Sequence, residues 1–364
     1  MLSNQSRFLI VFLALLLIPI TGFRLAAQDA SADAIVITDA RGREVALEQT
    51  PQRIVLTGKG LFMIADAIYA FPEASSRIVA IGRTAQMQLN FISAIDPNYA
   101  DKTILDGQAG AEQIAASQPD LVLLKSISAE TLGAPLEELD IPVVYVDFEN
   151  PEQYERDLTN LGLIFQNEER AQELIAFFQE RTERITSATE SLTDEEKPSV
   201  LLLYYNNRDG VIAFNVPPTS FLQTWAVENA GGMPVWLDME LGNNWTTVTL
   251  EQIAAWDADQ IYIVSYFAPV SDVISALEAD PQWQALRAVQ TGNLYGFPAD
   301  YYSWDQPDTR WILGLQWLAK TMHPDLFADL NLREEIRSFY SMLYALDDDA
   351  YAEVVEPYLP ADLP

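Results

Sequence analysis

Three basic side chains stand where predicted β-strands end, in a chain that has only 21 Lys and Arg against 53 Asp and Glu. Lys59 lies in "TGKG" after the strand-like run "RIVLT", Arg83 follows "RIVAIG", and Lys125 follows "LVLL". Open α/β sheets bind ligands at the carboxyl ends of their strands. The helix that begins after Gly60 would add free backbone N–H groups there. These residues therefore predict an anion-binding edge.

The second half of the chain places aromatic side chains at the corresponding positions. One group contains Trp245, in "NNWTT", and the pair Tyr266 and Phe267, which follow a predicted strand. The segment "DYYSWDQPDTRW" adds Tyr302, Trp304 and Arg310. An aromatic wall opposite a basic wall predicts a large planar or lipophilic anion, such as a ferric siderophore, haem or corrinoid.

A small oxyanion is the alternative ligand. Molybdate or tungstate could be held by Lys59, Arg83 and the helix N-terminus without any help from the aromatic side chains. The two ligand classes differ in whether the aromatic wall is needed.

The sequence contains few Cys or His residues that could bind a transition metal or act as a catalytic nucleophile or base. It contains no Cys and one His, whereas zinc sites use thiolate and imidazole ligands. The single histidine, His323, precedes Pro324 near a predicted helix end, and this position favours a capping role. The sequence has no GxSxG, HExxH or Walker A motif. We expect no enzyme activity, no cofactor and no bound metal; a secreted hydrolase with a carboxylate pair is the remote alternative.

The net charge of -32 argues against a nucleic-acid-binding function. So acidic a chain repels phosphate backbones and anionic membrane surfaces. Nucleic acid is therefore not an expected partner.

The N-terminus is typical of an export signal, which we assign to residues 1–32. Arg7 precedes an apolar run at residues 8–20, and small residues follow that suit cleavage after Ala27 or Ala32. The run is shorter than the roughly 18 to 20 apolar residues that cross a bilayer. With no cysteine to carry a lipid, the mature protein is expected to be free in the periplasm or secreted.

The remaining sequence alternates predicted strands and helices, which is typical of parallel sheets covered by helices on both faces. We predict an N-terminal α/β lobe at residues 34–165 and a long linking helix at 166–193. A C-terminal α/β lobe with C-terminal helices follows at 197–364. The predicted fold is two α/β lobes, each with a mostly parallel sheet, bridged by one long helix.

The pentamer EQIAA occurs once in each predicted lobe, at residues 112–116 and 251–255. Each copy lies on a predicted helix just before a strand. Ile114 and Ile253 suit the core, while Glu112 and Glu251 suit exposed first turns of helices.

Four ordered motifs resemble one known family. They are "DARGREVALEQTPQRIV", "GAEQIAASQPDLVLL", "VTLEQIAAWDADQIYIV" and "WQALRAVQTGNLYGFP". They resemble the iron-complex and cobalamin family of extracytoplasmic solute-binding proteins, the class III receptors of ABC importers. The resemblance implies a ligand cleft between two lobes and a monomer that docks on a membrane permease. It also implies that Glu112 and Glu251 are the docking acids.

Overall fold

The computed structural model describes residues 34–84, 89–361 and 363. The predicted signal segment lies outside these residues. Within the described ranges, no helix is both long enough and apolar enough to cross a membrane.

The N-terminal lobe begins with an antiparallel hairpin and continues as a parallel sheet. The hairpin strands are β1 (Ile35–Thr38) and β2 (Glu44–Leu47). The sheet strands are β3 (Ile54–Leu56), β4 (Ile78–Gly82), β5 (Thr103–Leu105), β6 (Leu121–Leu124) and β7 (Val143–Tyr145). They lie in the order β5-β4-β3-β6-β7, and every neighbouring pair is parallel. The central strands β3 and β6 are buried at every residue, as their unbroken apolar runs indicate.

Among the residues that the structure describes, six α-helices connect the strands of this sheet. They are α1 (Leu61–Tyr69), α2 (Ala74–Arg77), α3 (Phe91–Ile95), α4 (Ala111–Ala115), α5 (Ala134–Glu137) and α6 (Pro151–Phe165).

One long helix, α7 (Glu168–Thr189), leads to the second lobe. Asn167 caps it by accepting a hydrogen bond from the N–H of Arg170 at 3.1 Å, and Glu168 and Glu169 stand at the positive end of its dipole. Its 22 residues contain neither proline nor glycine. The helix is therefore a stiff element about 33 Å long.

The C-terminal lobe is built on a mixed sheet. Its strands are β8 (Ser199–Arg208), β9 (Val211–Val216), β10 (Met233–Pro234), β11 (Thr246–Val248), β12 (Gln260–Ser265) and β13 (Leu294–Gly296). The order is β11-β9-β8-β12-β13, with β10 beside β8. Strands β8, β12 and β13 are parallel, whereas β9 is antiparallel to both β8 and β11. The predicted fold class, two α/β lobes linked by a long helix, is confirmed.

Seven helices belong to this half of the chain. They are α8 (Leu222–Asn229), α9 (Leu250–Trp256), α10 (Val270–Ala279), α11 (Arg287–Gln290), α12 (Trp311–Met322), α13 (Leu332–Tyr344) and α14 (Asp348–Val354).

The two lobes share a hydrophobic core. One continuous cluster of buried side chains includes Ile64 of the first lobe, Phe178 of α7 and Leu318 of the second lobe. The C-terminal helix α13 returns to the first lobe, where the ring of Tyr340 lies 5.7 Å from that of Phe91. Relative movement of the lobes would therefore disturb packed side chains and not only a linker.

A buried ion cluster joins the lobes inside this core. The guanidinium of Arg310, just before α12, is fully buried and donates through Nη1 to Asp66 on α1 of the other lobe. Its Nε donates to Asp300 at 2.5 Å, and Asp308 lies 3.9 Å from Nη1. Its carbon Cζ lies 4.6 Å from the centre of the Phe91 ring.

This cluster places three carboxyl groups around one cation in a site without solvent. Burial, strengthened by the nearby Asp300, raises the pKa of Asp66 to about 6 despite the opposing pull of Arg310. Burial likewise raises the pKa of Asp308 well above its ordinary value. The folded protein therefore keeps a proton that the unfolded chain would release.

We predict that the Asp66 carboxyl makes the protein more stable in mild acid. Unfolded Asp66 loses its proton near pH 4 and folded Asp66 near pH 6, so its contribution is complete below about pH 4 and is lost as pH rises to about 6. Over this window the free energy of unfolding should fall more steeply with rising pH in the wild type than in Asp66→Asn. Urea denaturation at several pH values measures the difference.

The control is Asp325→Asn, which makes the same chemical change at an exposed residue. In this variant the free energy of unfolding should depend on pH as it does in the wild type. If the free energy of unfolding of Asp66→Asn depends on pH as it does in the wild type, the raised pKa of Asp66 is contradicted.

Candidate ligand-binding site

The carboxyl ends of the two sheets meet beside Tyr302. Its hydroxyl donates to the carbonyl of Thr84 at 2.8 Å, and its ring centre lies 5.1 Å from that of Phe62. Thr84 follows β4, Phe62 lies in the first turn of α1, and Tyr302 follows β13. The strand ends of one lobe therefore face those of the other, and the candidate ligand cleft lies at this edge.

The first wall of the cleft is the turn between β3 and α1. Gly58 and Gly60 have φ values of +94° and +66°, which favour glycine. A Cβ at Gly58 would lie 2.7 Å from Oγ of Ser128, the hydroxyl that accepts a hydrogen bond from the N–H of Lys59 at 3.0 Å. No side chain caps the start of α1; the N–H of Met63 donates to the carbonyl of Gly60 at 3.0 Å, which leaves the N–H groups of Leu61 and Phe62 as the donors that an anion would use.

Two of the three predicted cations are free at this wall. Lys59 and Arg83 are exposed, and neither side chain forms an ion pair with any residue in the described part of the chain. Lys125 is only 4% exposed, and its Nζ lies 2.5 Å from Oε1 of Glu149 and donates to the carbonyl of Asp147 at 2.7 Å. Because Glu149 neutralises Lys125, the patch has two free cations and not the three predicted.

The second wall consists of aromatic rings in contact with one another. Tyr204, at the end of the buried part of β8, lies 4.6 Å from Tyr266 and 5.2 Å from Trp245 between ring centres. Trp245 and Tyr266 are half-buried. The Tyr266 hydroxyl donates to Asp305 at 2.6 Å. Burial, together with the Asp305 charge, raises the pKa of Tyr266 well above its ordinary value, so the ring remains neutral.

Two further side chains stand at the rim of this wall. Phe267 is 74% exposed, beside Tyr266. Arg208, at the tip of β8, is also exposed, and it has no sequence signal that separates it from other surface cations. Tyr204 was not predicted either, because it ends an apolar run that is typical of a core strand.

Three predicted contacts belong to the interior. Tyr302, Trp304 and Arg310 are fully buried. Trp304 donates from Nε1 to Asp300 at 3.2 Å, and Arg310 is held by the ion cluster described above. In this conformation none of the three offers surface to a ligand, which corrects their placement on an exposed aromatic wall.

The polar residues around Trp304 led to the wrong prediction that this segment is exposed to solvent. Ser303 and Asp305 look solvent-exposed in the sequence, yet both are buried and the Ser303 hydroxyl donates to Asp305 at 2.6 Å. Polar groups that bind one another can be buried without large cost. A polar segment is therefore no sign of exposure here.

The repeated pentamer has the same layout in both lobes. Ile114 and Ile253 are buried in the cores, and Glu112 and Glu251 are exposed in the first turns of α4 and α9. Thr249 caps α9 by accepting a hydrogen bond from the N–H of Gln252 at 3.2 Å. The glutamates are thus accessible on rigidly anchored turns.

No candidate metal centre is found among the residues that the structure describes: no group of three or more His, Asp or Glu side chains is arranged to hold an ion. His323 is the C-cap residue of α12, and its N–H donates to the carbonyl of Ala319 at 2.9 Å. Its predicted capping role is confirmed.

Comparisons with known proteins agree with the two-lobed α/β fold. A family model described as "Periplasmic binding protein" matches residues 74–301. The ferric enterobactin-binding periplasmic protein FepB of Escherichia coli is 30% identical over 172 residues, an alignment that spans 46% of this chain and 52% of that protein, about half of its length. The molybdate-binding protein MolA of Haemophilus influenzae is 22% identical over 335 residues, which cover 85% of this chain and 90% of MolA.

Solved structures show the same fold. A periplasmic solute-binding protein from Veillonella parvula superposes with a TM-score of 0.71 at 23% identity, covering 88% of this chain and 97% of that one. Molybdate-bound MolA superposes with a TM-score of 0.69 at 17% identity, covering 86% and 98%.

We predict that Gly60→Ala destabilises the protein by about 1 to 2 kcal/mol, the usual cost of a left-handed conformation for a residue with a Cβ. The new methyl would also lie 3.0 Å from Cδ of Lys125. Chemical denaturation measures the loss. Gly107→Ala is the matched control, because that residue has no positive φ and open space around it. Equal stability of the two variants would contradict the prediction.

Proposed function

Because the chain belongs to the periplasmic binding protein family, the receptors of ABC importers, we propose that its cleft binds an anionic metal chelate of the iron–siderophore class and delivers it to a membrane permease. Haem and corrinoids are members of the same broad class of large chelates. The observation that carries this proposal is the pairing of two free cations and an uncapped helix start with a half-buried aromatic wall.

The basic wall supports an anionic ligand. Lys59 and Arg83 are unpaired in a protein of net charge -32, so the rest of the surface repels the anions that these two side chains attract. The N–H groups at the start of α1 add directional donors.

The aromatic wall supports a large ligand. Trp245 and Tyr266 are half-buried residues beside the cleft, and their ring contacts with Tyr204 hold them in place. Flat chelating rings gain both apolar burial and ring contacts on such a surface. The relative FepB, named for binding ferric enterobactin, is in agreement with this class.

An oxyanion such as molybdate is the second candidate, and the similarity to MolA along most of the chain favours it. It would use the basic wall alone and leave the aromatic wall without a role. Titration of tryptophan fluorescence with ferric enterobactin and with molybdate separates the two, because Trp245 lies at the aromatic wall.

The remaining parts of the proposal concern place and partner. We propose that residues 1–32 direct export, that the mature protein works as a free monomer outside the cytoplasm, and that Glu112 and Glu251 contact the permease. These glutamates are exposed, one on each lobe, and anchored by buried isoleucines of the same turn. An importer receptor has no need for turnover, so we propose no enzyme activity.

We predict that Lys59→Gln and Arg83→Gln each weaken ferric enterobactin binding by about 1.5 to 3 kcal/mol, the range for a hydrogen bond to a charged group. This corresponds to roughly a 10- to 150-fold rise in Kd. Fluorescence titration at fixed ionic strength measures it. Lys197→Gln removes the same charge between α7 and β8 and should leave Kd unchanged; an equal loss in that control would show a non-specific charge effect.

We predict that Glu112→Lys and Glu251→Lys reduce uptake of the ligand without changing its Kd, because neither side chain belongs to the basic wall or to the aromatic wall of the cleft. Transport into vesicles that contain the permease and titration of the purified variants give the two readouts. Weaker ligand binding in either variant would refute the docking assignment.

A further inference from the structure

The row of strand ends at the first wall finishes with an acid. Strands β4, β3, β6 and β7 are neighbours in the sheet, and their carboxyl ends are followed in that order by Arg83, Lys59, Lys125 and Glu149. Among the described residues, the third cation of this row is the one that forms an ion pair, with Oε1 of Glu149 at 2.5 Å from its Nζ. The carboxylate thus occupies one of three neighbouring cationic positions.

The side chain of Lys125 reaches the start of α1. A Cβ at Gly60, the N-cap residue of α1, would lie 3.0 Å from Cδ and 3.7 Å from Cε of this lysine. Its Nζ lies 3.8 Å from Sδ of Met63, in the first turn of the helix. A cation is unfavourable at the positive end of a helix dipole, whereas an anion is favourable there. The buried ammonium therefore needs a negative partner at this place.

Glu149 supplies that partner from a partly exposed position. Its side chain is 46% exposed, whereas the side chain of Lys125 is buried. The backbone of Glu149 is held, because its N–H donates to the side chain of Gln153 at 2.9 Å. In the described part of the chain, its carboxylate has no ion pair with a second cation. The carboxylate can therefore turn towards solvent while the backbone stays in place.

A second set of contacts would keep Lys125 in position after Glu149 has left. Its Nζ donates to the backbone carbonyl of Asp147 at 2.7 Å. The carboxylate of Asp147 is engaged elsewhere, since it accepts from the N–H of Ser126 at 2.8 Å and from the hydroxyl of Ser126 at 2.7 Å. An ammonium that is anchored but has lost its counter-ion is a binding position for an incoming anion.

We propose that Glu149 is a displaceable counter-ion, and that the anionic ligand of the cleft replaces it on Lys125. The inference rests on the proposed function and adds the residue that limits its affinity. Lys125 has a negative partner both before and after the exchange, so the buried charge is never left unpaired. The free energy of breaking the internal pair is subtracted from the binding of the ligand.

The test titrates the protein with ferric enterobactin and, separately, with molybdate. Glu149→Gln should lower the Kd by about 5- to 10-fold, because the ligand no longer competes with a partly exposed ion pair. Glu149→Asp keeps the charge but draws the carboxylate back by one methylene group. It should also lower the Kd, by a smaller factor, which a change of net charge cannot explain.

Removal of Lys125 separates exchange from repulsion at a distance. In the Glu149→Gln protein, Lys125→Gln should raise the Kd by about 10-fold or more, because the ligand then loses a charged hydrogen-bond donor. In the Lys125→Gln protein, Glu149→Gln should change the Kd by less than about 2-fold. An equal gain from Glu149→Gln with and without Lys125 would overturn the exchange.

The matched control is Glu137→Gln. Glu137 forms an ion pair with Arg43, whose Nη2 donates to the carbonyl of Val143 at 3.0 Å. Val143 is the first residue of β7, so this pair lies at the opposite edge of the same sheet. The substitution removes the same charge from the same kind of pair, and the Kd should not change. An equal fall in Kd in this control would overturn the exchange.

The outcomes separate this inference from the proposed function. If the wild type binds ferric enterobactin and neither substitution of Glu149 changes the Kd, the exchange is refuted and the receptor function stands. If molybdate alone binds, and binds more tightly to Glu149→Gln, the exchange holds and the chelate is the wrong ligand. If neither probe binds to the wild type or to Glu149→Gln, both fail. Circular dichroism checks that each variant is folded, and Glu149→Asp decides if Glu149→Gln is not.

Discussion

The buried contact between Arg310 and Asp66 fixes one lobe against the other. A guanidinium without access to solvent needs its carboxylate partners, because removing one partner from a buried pair commonly costs about 3 to 5 kcal/mol. Asp66 lies on α1, whose first turn begins the basic wall, and Arg310 follows the segment that carries Tyr302. The same contact therefore sets the distance between α1 and the second lobe, and with it the width of the cleft.

The remaining architecture preserves that arrangement. The shared hydrophobic core, the return of α13 to the first lobe and the uninterrupted α7 all oppose a large change in lobe orientation. With the walls held in place, the side chains that line the cleft must determine which ligands bind. In the function that we propose, one wall supplies Lys59, Arg83 and backbone N–H groups and the other supplies aromatic rings, so that different parts of a chelate would be recognised by different chemistry.

Local sequence signals predicted the parts of the fold that local interactions determine. Apolar runs identified β3 and β6, Asn167 and its following glutamates identified the start of α7, and the buried isoleucines of the repeated pentamer were predicted from helical spacing. Each of these features depends on residues within a few positions of one another.

The site was harder to predict because its partners are distant in sequence. Glu149 neutralises Lys125 from 24 positions away, the difference between their residue numbers, and Asp66 holds Arg310 across 244 positions. The segment with Trp304 is buried because its polar side chains bind one another, a property that composition does not show.

We infer that the two lobes form a cleft whose shape exists before the ligand arrives. The chain has no native cysteine, so spin labels can be placed on Glu138→Cys in the first lobe and Ala276→Cys in the second, both exposed. Pulsed electron paramagnetic resonance then gives the distance between the lobes with and without ferric enterobactin. The structure predicts a change of less than about 2 Å, the range of pre-organised complexes; a larger shortening on binding would show that the lobes close around the ligand and would contradict the claim.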